Sequence, residues 1–173
     1  MRRLYQAGAK EPAGWEPRKK GKKKTPHNPN FAESMAEMSG TIKKAAPMLR
    51  VPDLRRTLAW YTSIGFKELM RYEHEGVMNF AMVSFGRAEL MLTLGGKEGS
   101  PDVSFWFYTD DIERLYQLLK SRQLEAAEAA IAGRPSEHGG VPFVNDIYNP
   151  PYGGREFSIR DLNGYVLNFL QPG

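Results

Sequence analysis

The same short pattern occurs twice in this chain, and it limits the possible folds more than any other feature. Each copy is a run of β-forming residues, then Asp, then an amphipathic helical stretch, at residues 49–56 and 107–114. Asp53 and Asp111 stand where an N-cap residue would begin each helix. After each helix the sequence predicts three more strands, so two matching β-α-β-β-β orders indicate two similar modules.

The two predicted modules differ in length but share one order of elements. The first has a strand, a helix and three strands at residues 48–51, 53–64, 66–73, 77–85 and 88–94. After a linker at residues 95–102, the second has the same order at residues 103–109, 110–124, 141–148, 155–160 and 165–170, with irregular structure at 125–140. Apolar positions at helical spacing are expected to be buried: Leu54, Leu58 and Tyr61, then Ile112, Leu115, Leu118 and Leu119.

Each predicted sheet has a face that packs on its helix and a face that does not. Side chains alternate between these faces along a strand, so Phe105 and Phe107 are expected on the helix side and Trp106 and Tyr108 on the other. Two curved sheets paired through their free faces would form a cup. The sequence therefore predicts an α+β fold of two βαβββ modules pairing into a cup-shaped sheet.

The last hairpin is the most specific motif in the chain. Tyr152-Gly-Gly-Arg-Glu-Phe leads into a strand, a turn with Asp161 and Gly164, and a final apolar strand. It resembles the last hairpin of bleomycin-resistance proteins, a branch of the vicinal-oxygen-chelate superfamily that includes glyoxalase I and extradiol dioxygenases. Residues 49–54 and 105–116 match the superfamily as well. The resemblance extends from about Pro47 to Leu170 and implies the glyoxalase/bleomycin resistance fold.

Metal-dependent enzymes of that superfamily carry His, Gln or Glu at four positions of the cup. The resemblance assigns these positions to Ala46, Met91, Ser104 and Asn168, with Glu89 replacing Met91 if the alignment slips by two residues. Ala and Met do not bind a hard or borderline divalent cation, and Ser and Asn are weak neutral ligands. The three histidines lie elsewhere, at His27, His74 and His138. We therefore expect no metal, no cofactor and no catalytic residue.

Apolar and aromatic residues fill the predicted cup instead. Such walls, with a few polar groups, suit a planar or amphipathic organic molecule. The candidate ligand-binding residues are Arg50, Glu89, Met91, Ser104, Trp106, Tyr108, Tyr152 and Asn168. A second interpretation makes Trp106 and Tyr108 ordinary core residues on a buried strand.

The resemblance gives the last hairpin a further role. In the bleomycin-resistance branch, an aromatic residue before Gly-Arg-Glu-Phe lines a drug groove between two subunits, and Tyr152 stands at that position in place of the usual Trp. The branch uses an acidic groove for a cationic drug, and the residues that could contribute are Glu73, Glu75, Asp102, Asp110 and Asp146. Arg155 and Glu156 are predicted to form a structural ion pair. The resemblance thus implies a homodimer.

The N-terminal region, residues 1–45, is predicted to be a basic extension to a domain at 46–173, with modules at about 46–95 and 102–173. Before Ala45 there are 11 Lys and Arg against 4 Asp and Glu, whereas the remainder has 13 against 16. Residues 1–24 are expected to be disordered, with an arm for nucleic acid as the alternative. A helix is predicted from Asn30 to Ala46, with an apolar stripe that packs on the domain or on a second subunit: Phe31, Met35, Met38 and Ile42.

Composition narrows the location and the chemistry. The chain has no cysteine, which excludes disulfides and thiol chemistry and favours a cytoplasmic protein. No stretch is apolar enough to span a bilayer, so no membrane partner is expected. We predict a metal-independent binding protein that sequesters a small organic ligand in an aromatic groove of a dimer. The alternatives are a metal-dependent lyase or oxygenase of glyoxalase or dioxygenase type with misaligned ligands, and an interaction protein with a basic arm.

Overall fold

The computed structural model describes residues 31–97, 103–136 and 140–173, and the chain divides into two compact units, Met1–Lys43 and Lys44–Gly173. In the first unit, α1 is a helix at Phe31–Ser39 whose apolar side chains are exposed. It is shorter than predicted because Gly40 donates to the carbonyl of Glu37 in a turn, and glycine is a poor helix former. The predicted disorder at residues 1–24 and the N-cap Asn30 lie outside the described residues.

The first module of the second unit has one helix and four strands, in the predicted order. These are β1 (Met48–Val51), α2 (Leu54–Ser63), β2 (Lys67–His74), β3 (Val77–Phe85) and β4 (Ala88–Leu94). The strands lie in the order β1-β4-β3-β2, and β1 is parallel to β4. β1 and β2 run in the same direction at opposite edges of the sheet, so a crossover such as α2 has to join them, because a tight turn cannot.

The second module repeats this arrangement. It contains β5 (Ser104–Tyr108), α3 (Ile112–Ile131), β6 (Phe143–Tyr148), β7 (Arg155–Arg160) and β8 (Val166–Gln171). Its strand order, β5-β8-β7-β6, is equivalent to that of the first sheet, and β5 is parallel to β8. The predicted α+β fold of two βαβββ modules is confirmed, and the structure has two separate four-stranded sheets in place of the predicted cup-shaped sheet.

The repeated Asp begins both helices as predicted. The Asp53 carboxylate accepts a hydrogen bond from the backbone N–H of Arg56 at 2.9 Å, and Asp111 accepts one from Arg114 at 3.2 Å. Each bond satisfies one of the free N–H groups in the first helical turn, which is typically worth about 1 kcal/mol.

The helix α3 differs from the prediction in its length and in one buried position. It continues to Ile131, beyond the predicted end at Leu124, because the Ala- and Glu-rich sequence that follows has a high helix propensity. The side chain of Leu118 is 59% exposed, whereas Leu119 is buried. Consecutive helical residues are about 100° apart, and only the position of Leu119 faces the sheet.

The two modules share one hydrophobic core through the faces of their sheets that carry the helices. The ring of Phe66 lies 5.9 Å from that of Phe107, and the ring of Phe85 lies 6.2 Å from that of Phe169. Alternation along the strands then directs the other face of each sheet, which we call the outer face, away from this core. Within the described ranges no helix has the length and apolarity needed to cross a bilayer.

Hydrogen bonds reinforce the junction between the modules. The Tyr61 hydroxyl in α2 donates to Asp161 Oδ2 at 3.0 Å, and Asn163 Nδ2 donates to Thr57 Oγ1 at 3.1 Å. These polar groups are buried, and an unpaired buried polar group costs about 1–3 kcal/mol, so the bonds favour this packing over alternatives. The turn between β7 and β8 is thereby held against α2.

Candidate functional site

The first group of candidate residues lies on β1 and β4. In the parallel register Met91 is opposite Met48, and the neighbouring residues Leu49 and Leu92 are buried in the core. Alternation therefore places Arg50, Glu89 and Met91 on the outer face of the first sheet. Glu89 forms an ion pair with Lys44, so its charge is already partly neutralised.

The second group lies on β5 and β8. Trp106 is opposite Asn168 in the register, and both Trp106 and Tyr108 point away from the core, with 45% and 70% of their surfaces exposed. The interpretation of these two rings as ordinary core residues is therefore wrong, because Phe105 and Phe107 occupy the helix side. Ser104 is exposed on the same face, and Asn168 Nδ2 donates to the carbonyl of Phe105 at 3.4 Å.

The two groups remain on separate surfaces of a single chain. Among the described residues, no hydrogen bond, ion pair or ring contact joins a candidate residue of the first sheet to one of the second. The physical cause is the shared core, which uses the helix sides of both sheets and leaves both outer faces directed away from it. One chain thus presents two half-sites rather than one enclosed site.

The loop after β6 brings Tyr152 onto the second group. Its ring lies 6.4 Å from that of Trp106 at an interplanar angle of 65°, an edge-to-face arrangement. Gly154 makes this loop possible because its φ is +82° and a Cβ there would lie 2.4 Å from the carbonyl oxygen of Gln171. No other residue fits so close to the backbone.

Glu156 is the residue of this site that sequence reasoning missed. Its side chain is 3% exposed and accepts hydrogen bonds from the hydroxyls of Tyr148, at 2.9 Å, and Tyr152. The predicted ion pair with Arg155 is wrong, because Arg155 instead pairs with Glu113. The alternation of β7 could have revealed this, since Phe157 and Ile159 are apolar and Glu156 must then share the outer face.

The carboxylate of Glu156 also fixes the state of the two tyrosines. Its hydrogen bonds raise the pKa of both Tyr148 and Tyr152 above the ordinary value of a phenol. A phenol that donates to a carboxylate loses that bond on deprotonation, so the neutral form is favoured. The surface presents two tyrosine hydroxyls and an indole around a buried carboxylate, which can contact an organic molecule by stacking and hydrogen bonding.

The positions that carry metal ligands in relatives do not fit a metal here. Met91 offers a thioether, Ser104 a hydroxyl and Asn168 a carboxamide, which together make no site for a hard divalent cation. Within the part of the chain that the structure describes, no three His, Cys, Asp or Glu side chains are grouped closely enough to hold a metal ion.

The acidic residues considered for a cationic groove are spread over several elements. Glu73 pairs with Arg55 at 2.9 Å, and Asp146 pairs with Lys120 at 2.6 Å. The side-chain bond from Lys120 is the main reason that the pKa of Asp146 is lowered. Asp110 lies at the end of β5, and Asp102 is outside the described residues. Glu73 and Asp146 are thus already paired with basic side chains, and the acidic side chain bonded to Tyr152 is Glu156.

Comparisons with known proteins agree with this geometry. The family model described as the Glyoxalase/Bleomycin resistance protein/Dioxygenase superfamily matches residues 42–169. No curated protein sequence matches the chain.

Solved structures give the same result for the fold. A bleomycin-binding protein complexed with bleomycin has a TM-score of 0.56 at 20% identity, covering 76% of this chain and 100% of its own. The bleomycin resistance determinant encoded on transposon Tn5 has 0.56 at 20%, covering 76% and 98%. A glyoxalase-related enzyme from Clostridium phytofermentans has 0.55 at 21%, covering 76% and 96%. At these identities the likeness establishes the fold.

Proposed function

The chain belongs to the glyoxalase/bleomycin resistance protein/dioxygenase superfamily, and from this premise we propose that it binds and sequesters a small organic molecule without breaking a bond in it. A bound molecule is removed from solution by mass action, so protection requires protein at a concentration at least equal to that of the ligand. Binding proteins for bleomycin among the structural neighbours support this choice of class.

The observation that carries the proposal is the ring-lined surface around Glu156. Trp106 and Tyr152 are large, exposed rings in contact with each other, and they lie on the outer face, away from the hydrophobic core. Exposed aromatic residues beside a few fixed polar groups are typical of sites for planar organic ligands. Glu156 and its two tyrosine partners supply those polar groups in a fixed arrangement.

We propose further that the protein acts as a homodimer. Each chain presents the Arg50, Glu89 and Met91 group on one surface and the Trp106 and Tyr152 group on another. A two-fold symmetric pair can place the first group of one subunit opposite the second group of its partner, and two equivalent grooves result. A ligand held between such walls loses more of its exposed surface than it would on either wall alone.

Isothermal titration calorimetry with bleomycin and a panel of planar aromatic compounds tests the function. We expect at least one compound to bind with a stoichiometry of one per subunit, and binding to weaken in Trp106→Ala and Tyr152→Ala. Leu124→Ala, at an exposed apolar position of α3, is the control and should not weaken binding. Analytical ultracentrifugation of the same samples tests the dimer.

Two results would contradict the proposal. If no compound of a broad panel binds, sequestration of an aromatic ligand is the wrong function. If the purified protein instead contains stoichiometric zinc, nickel, manganese or iron, the metal-dependent lyase or oxygenase becomes the better hypothesis, in spite of the donor set at Met91, Ser104 and Asn168.

A further inference from the structure

A cavity of about 730 Å³ lies between the two modules, away from Glu156 and its tyrosines. Its two main walls are continuous stretches of chain, residues 85–88 at the β3–β4 turn and residues 106–110 at the end of β5. Leu115 and Phe169 complete the lining. The volume lies within the range of about 300–1,000 Å³ that is usual for small-molecule sites.

The wall at residues 106–110 is the end of β5, an edge strand, and the two residues that follow it. Side chains of consecutive strand residues point to opposite faces, so the cavity, which contacts all three of residues 106–108, faces the edge of the strand. The other edge of β5 is paired with β8, where Thr109 N–H donates to the Leu170 carbonyl at 3.0 Å. In a parallel ladder the N–H and C=O groups of one residue point to one side of the strand, and those of the next residue point to the other side. Thr109 is bonded to β8, so the N–H and C=O groups of Trp106 and Tyr108 point to the free edge and the cavity.

Two side chains of opposite charge lie beside this edge. Arg87 lines the cavity from the β3–β4 turn, and Asp110 lines it from the end of β5. Both side chains are exposed, and among the described residues neither has a hydrogen-bond or ion-pair partner. A guanidinium binds a carboxylate through a planar pair of donors, and a carboxylate accepts hydrogen bonds from an ammonium group.

The inner part of the cavity is aromatic. The rings of Phe107 and Phe169 are stacked with centroids 5.2 Å apart, and Phe85 meets Phe169 edge to face at 6.2 Å. Phe85 is only half-buried, so its ring is available to a ligand. An aromatic guest can extend this arrangement because edge-to-face and offset contacts stabilise ring pairs.

We infer that this cavity is a second binding site, for an aromatic molecule of the α-amino-acid class with a free ammonium and a free carboxylate group. An α-amino acid carries an ammonium donor and a carboxylate acceptor on one carbon, at the spacing of the N–H and C=O groups of a residue in a neighbouring strand. The ammonium would meet strand carbonyls and Asp110, the carboxylate would meet strand N–H groups and Arg87, and the ring would lie against the half-buried ring of Phe85.

This inference is separate from the proposed sequestration function. The site of that function lies on the outer face of the second sheet around Glu156 and Tyr152. Trp106 is common to both because its ring belongs to the outer face while its backbone lies at the strand edge. The cavity is formed within one chain, so it does not require a second copy.

A ligand series tests the inference on the full-length protein. Nuclear magnetic resonance titrations would compare L-tryptophan with tryptamine, which lacks the carboxylate, and indole-3-propionate, which lacks the ammonium. We expect tryptophan to bind more tightly than either. Arg87→Gln should weaken tryptophan and indole-3-propionate by about two- to fivefold and leave tryptamine unchanged, because an exposed charge pair contributes modestly. Asp110→Asn should weaken tryptophan and tryptamine and leave indole-3-propionate unchanged.

Matched controls keep the result interpretable. Arg56→Gln and Glu128→Gln remove exposed charges elsewhere on α2 and α3 and should change no affinity. Failure of all three probes to bind at millimolar concentration would overturn the inference, as would equal effects of each variant on tryptamine and indole-3-propionate. Binding that is weakened by Glu156→Gln but by neither Arg87→Gln nor Asp110→Asn would place the probe on the outer face and would also overturn it, without affecting the sequestration function.

Discussion

Two buried carboxylates of the second module, Asp161 and Glu156, are almost equally inaccessible but have different surroundings. Asp161 is 4% exposed and Glu156 is 3% exposed, and each accepts a hydrogen bond from a tyrosine hydroxyl. The partner of Asp161 is Tyr61, which is completely buried in the first module, whereas Glu156 is bonded to Tyr152, which is 64% exposed. The hydrogen bond between a tyrosine and a carboxylate therefore joins the two modules at Asp161 and forms part of the outer face at Glu156.

The further partners of Asp161 show what this difference means. Its Oδ1 accepts hydrogen bonds from the backbone N–H groups of Asn163 and Tyr165, both at 2.8 Å. Asp161 thus fixes the β7–β8 turn as well as its contact with α2. Among the described residues, the Glu156 carboxylate has only side-chain partners, one of them on a loop. We conclude that Asp161 contributes chiefly to stability and Glu156 chiefly to the properties of the outer face.

Asp161→Ala is expected to have the largest effect on stability. It leaves the donors of Tyr61, Asn163 and Tyr165 without an acceptor, and we expect the free energy of unfolding to fall by about 3 kcal/mol. Urea denaturation measures this loss. Glu128→Ala, at an exposed site of α3, is the control and should leave the midpoint unchanged. A loss of under about 1 kcal/mol for Asp161→Ala would show that the junction does not depend on this carboxylate.

Gly154→Ala tests how firmly the loop with Tyr152 is fixed. The new Cβ would clash with the Gln171 carbonyl and would also strain a backbone with positive φ, so we expect a loss of about 2 kcal/mol. Gly153→Ala is the matched control, since its φ is +93° but nothing lies within 4 Å of the new Cβ. Thermal unfolding should rank Gly153→Ala as the milder change, and equal losses would mean that the close contact with Gln171 is unimportant.

Glu156→Gln is expected to affect binding more than stability. The amide keeps an acceptor for one tyrosine but loses the charge, so the free energy of unfolding should fall by about 1 kcal/mol. Affinity for the aromatic ligand of the proposed site should fall at least fivefold because Tyr148 and Tyr152 lose their fixed positions. Calorimetry and urea denaturation on the same sample separate the two effects. A variant that loses stability without losing affinity would contradict the role of Glu156 on the outer face.

The pH dependence of stability gives the smallest expected effect. Burial raises the pKa of Asp161 in the folded protein above that in the unfolded chain, where it is about 3.9. The folded state then holds the proton more strongly. This contribution to stability is complete below the unfolded pKa and is lost as the pH rises through the folded pKa.

The corresponding measurement is urea denaturation at several pH values from 4 to 7. As the pH rises through the lower part of this range, the free energy of unfolding of the wild type should fall relative to that of Asp161→Asn. Only the wild type has a titrating group at residue 161. Parallel curves for the two proteins would show that the carboxylate has the same pKa in the folded and unfolded states.

Much of the fold could be predicted because the signals are local. The N-caps Asp53 and Asp111 act on backbone groups three residues away, and the apolar alternation of β7 and β8 is visible in the sequence. The predictions for Leu118 and for the end of α3 were wrong. The apolar period did not decide whether Leu118 or Leu119 faces the sheet, and helix propensity did not fix the residue at which α3 ends. The outer-face positions of Trp106 and Tyr108 followed from alternation, with burial of both rings as the second interpretation.

The partners of Arg155 and Glu156 could not be predicted in the same way. Adjacent strand residues point to opposite faces, so a neighbouring charge in the sequence is not a neighbour in space. Arg155 reaches Glu113 on α3, and Glu156 reaches tyrosines on β6 and on the following loop. These contacts depend on how the helix and the strands are packed.

Residue patterns alone thus established two repeated modules, their helix starts and the face of each strand, because hydrophobic burial and hydrogen bonding impose short periods on a chain. The shared core, the two separate half-sites and the cavity at the edge of β5 came from packing. Contacts such as that of Tyr61 with Asp161 join residues a hundred positions apart. These contacts leave no periodic pattern in the sequence, because they depend on which surfaces remain exposed once each module has formed.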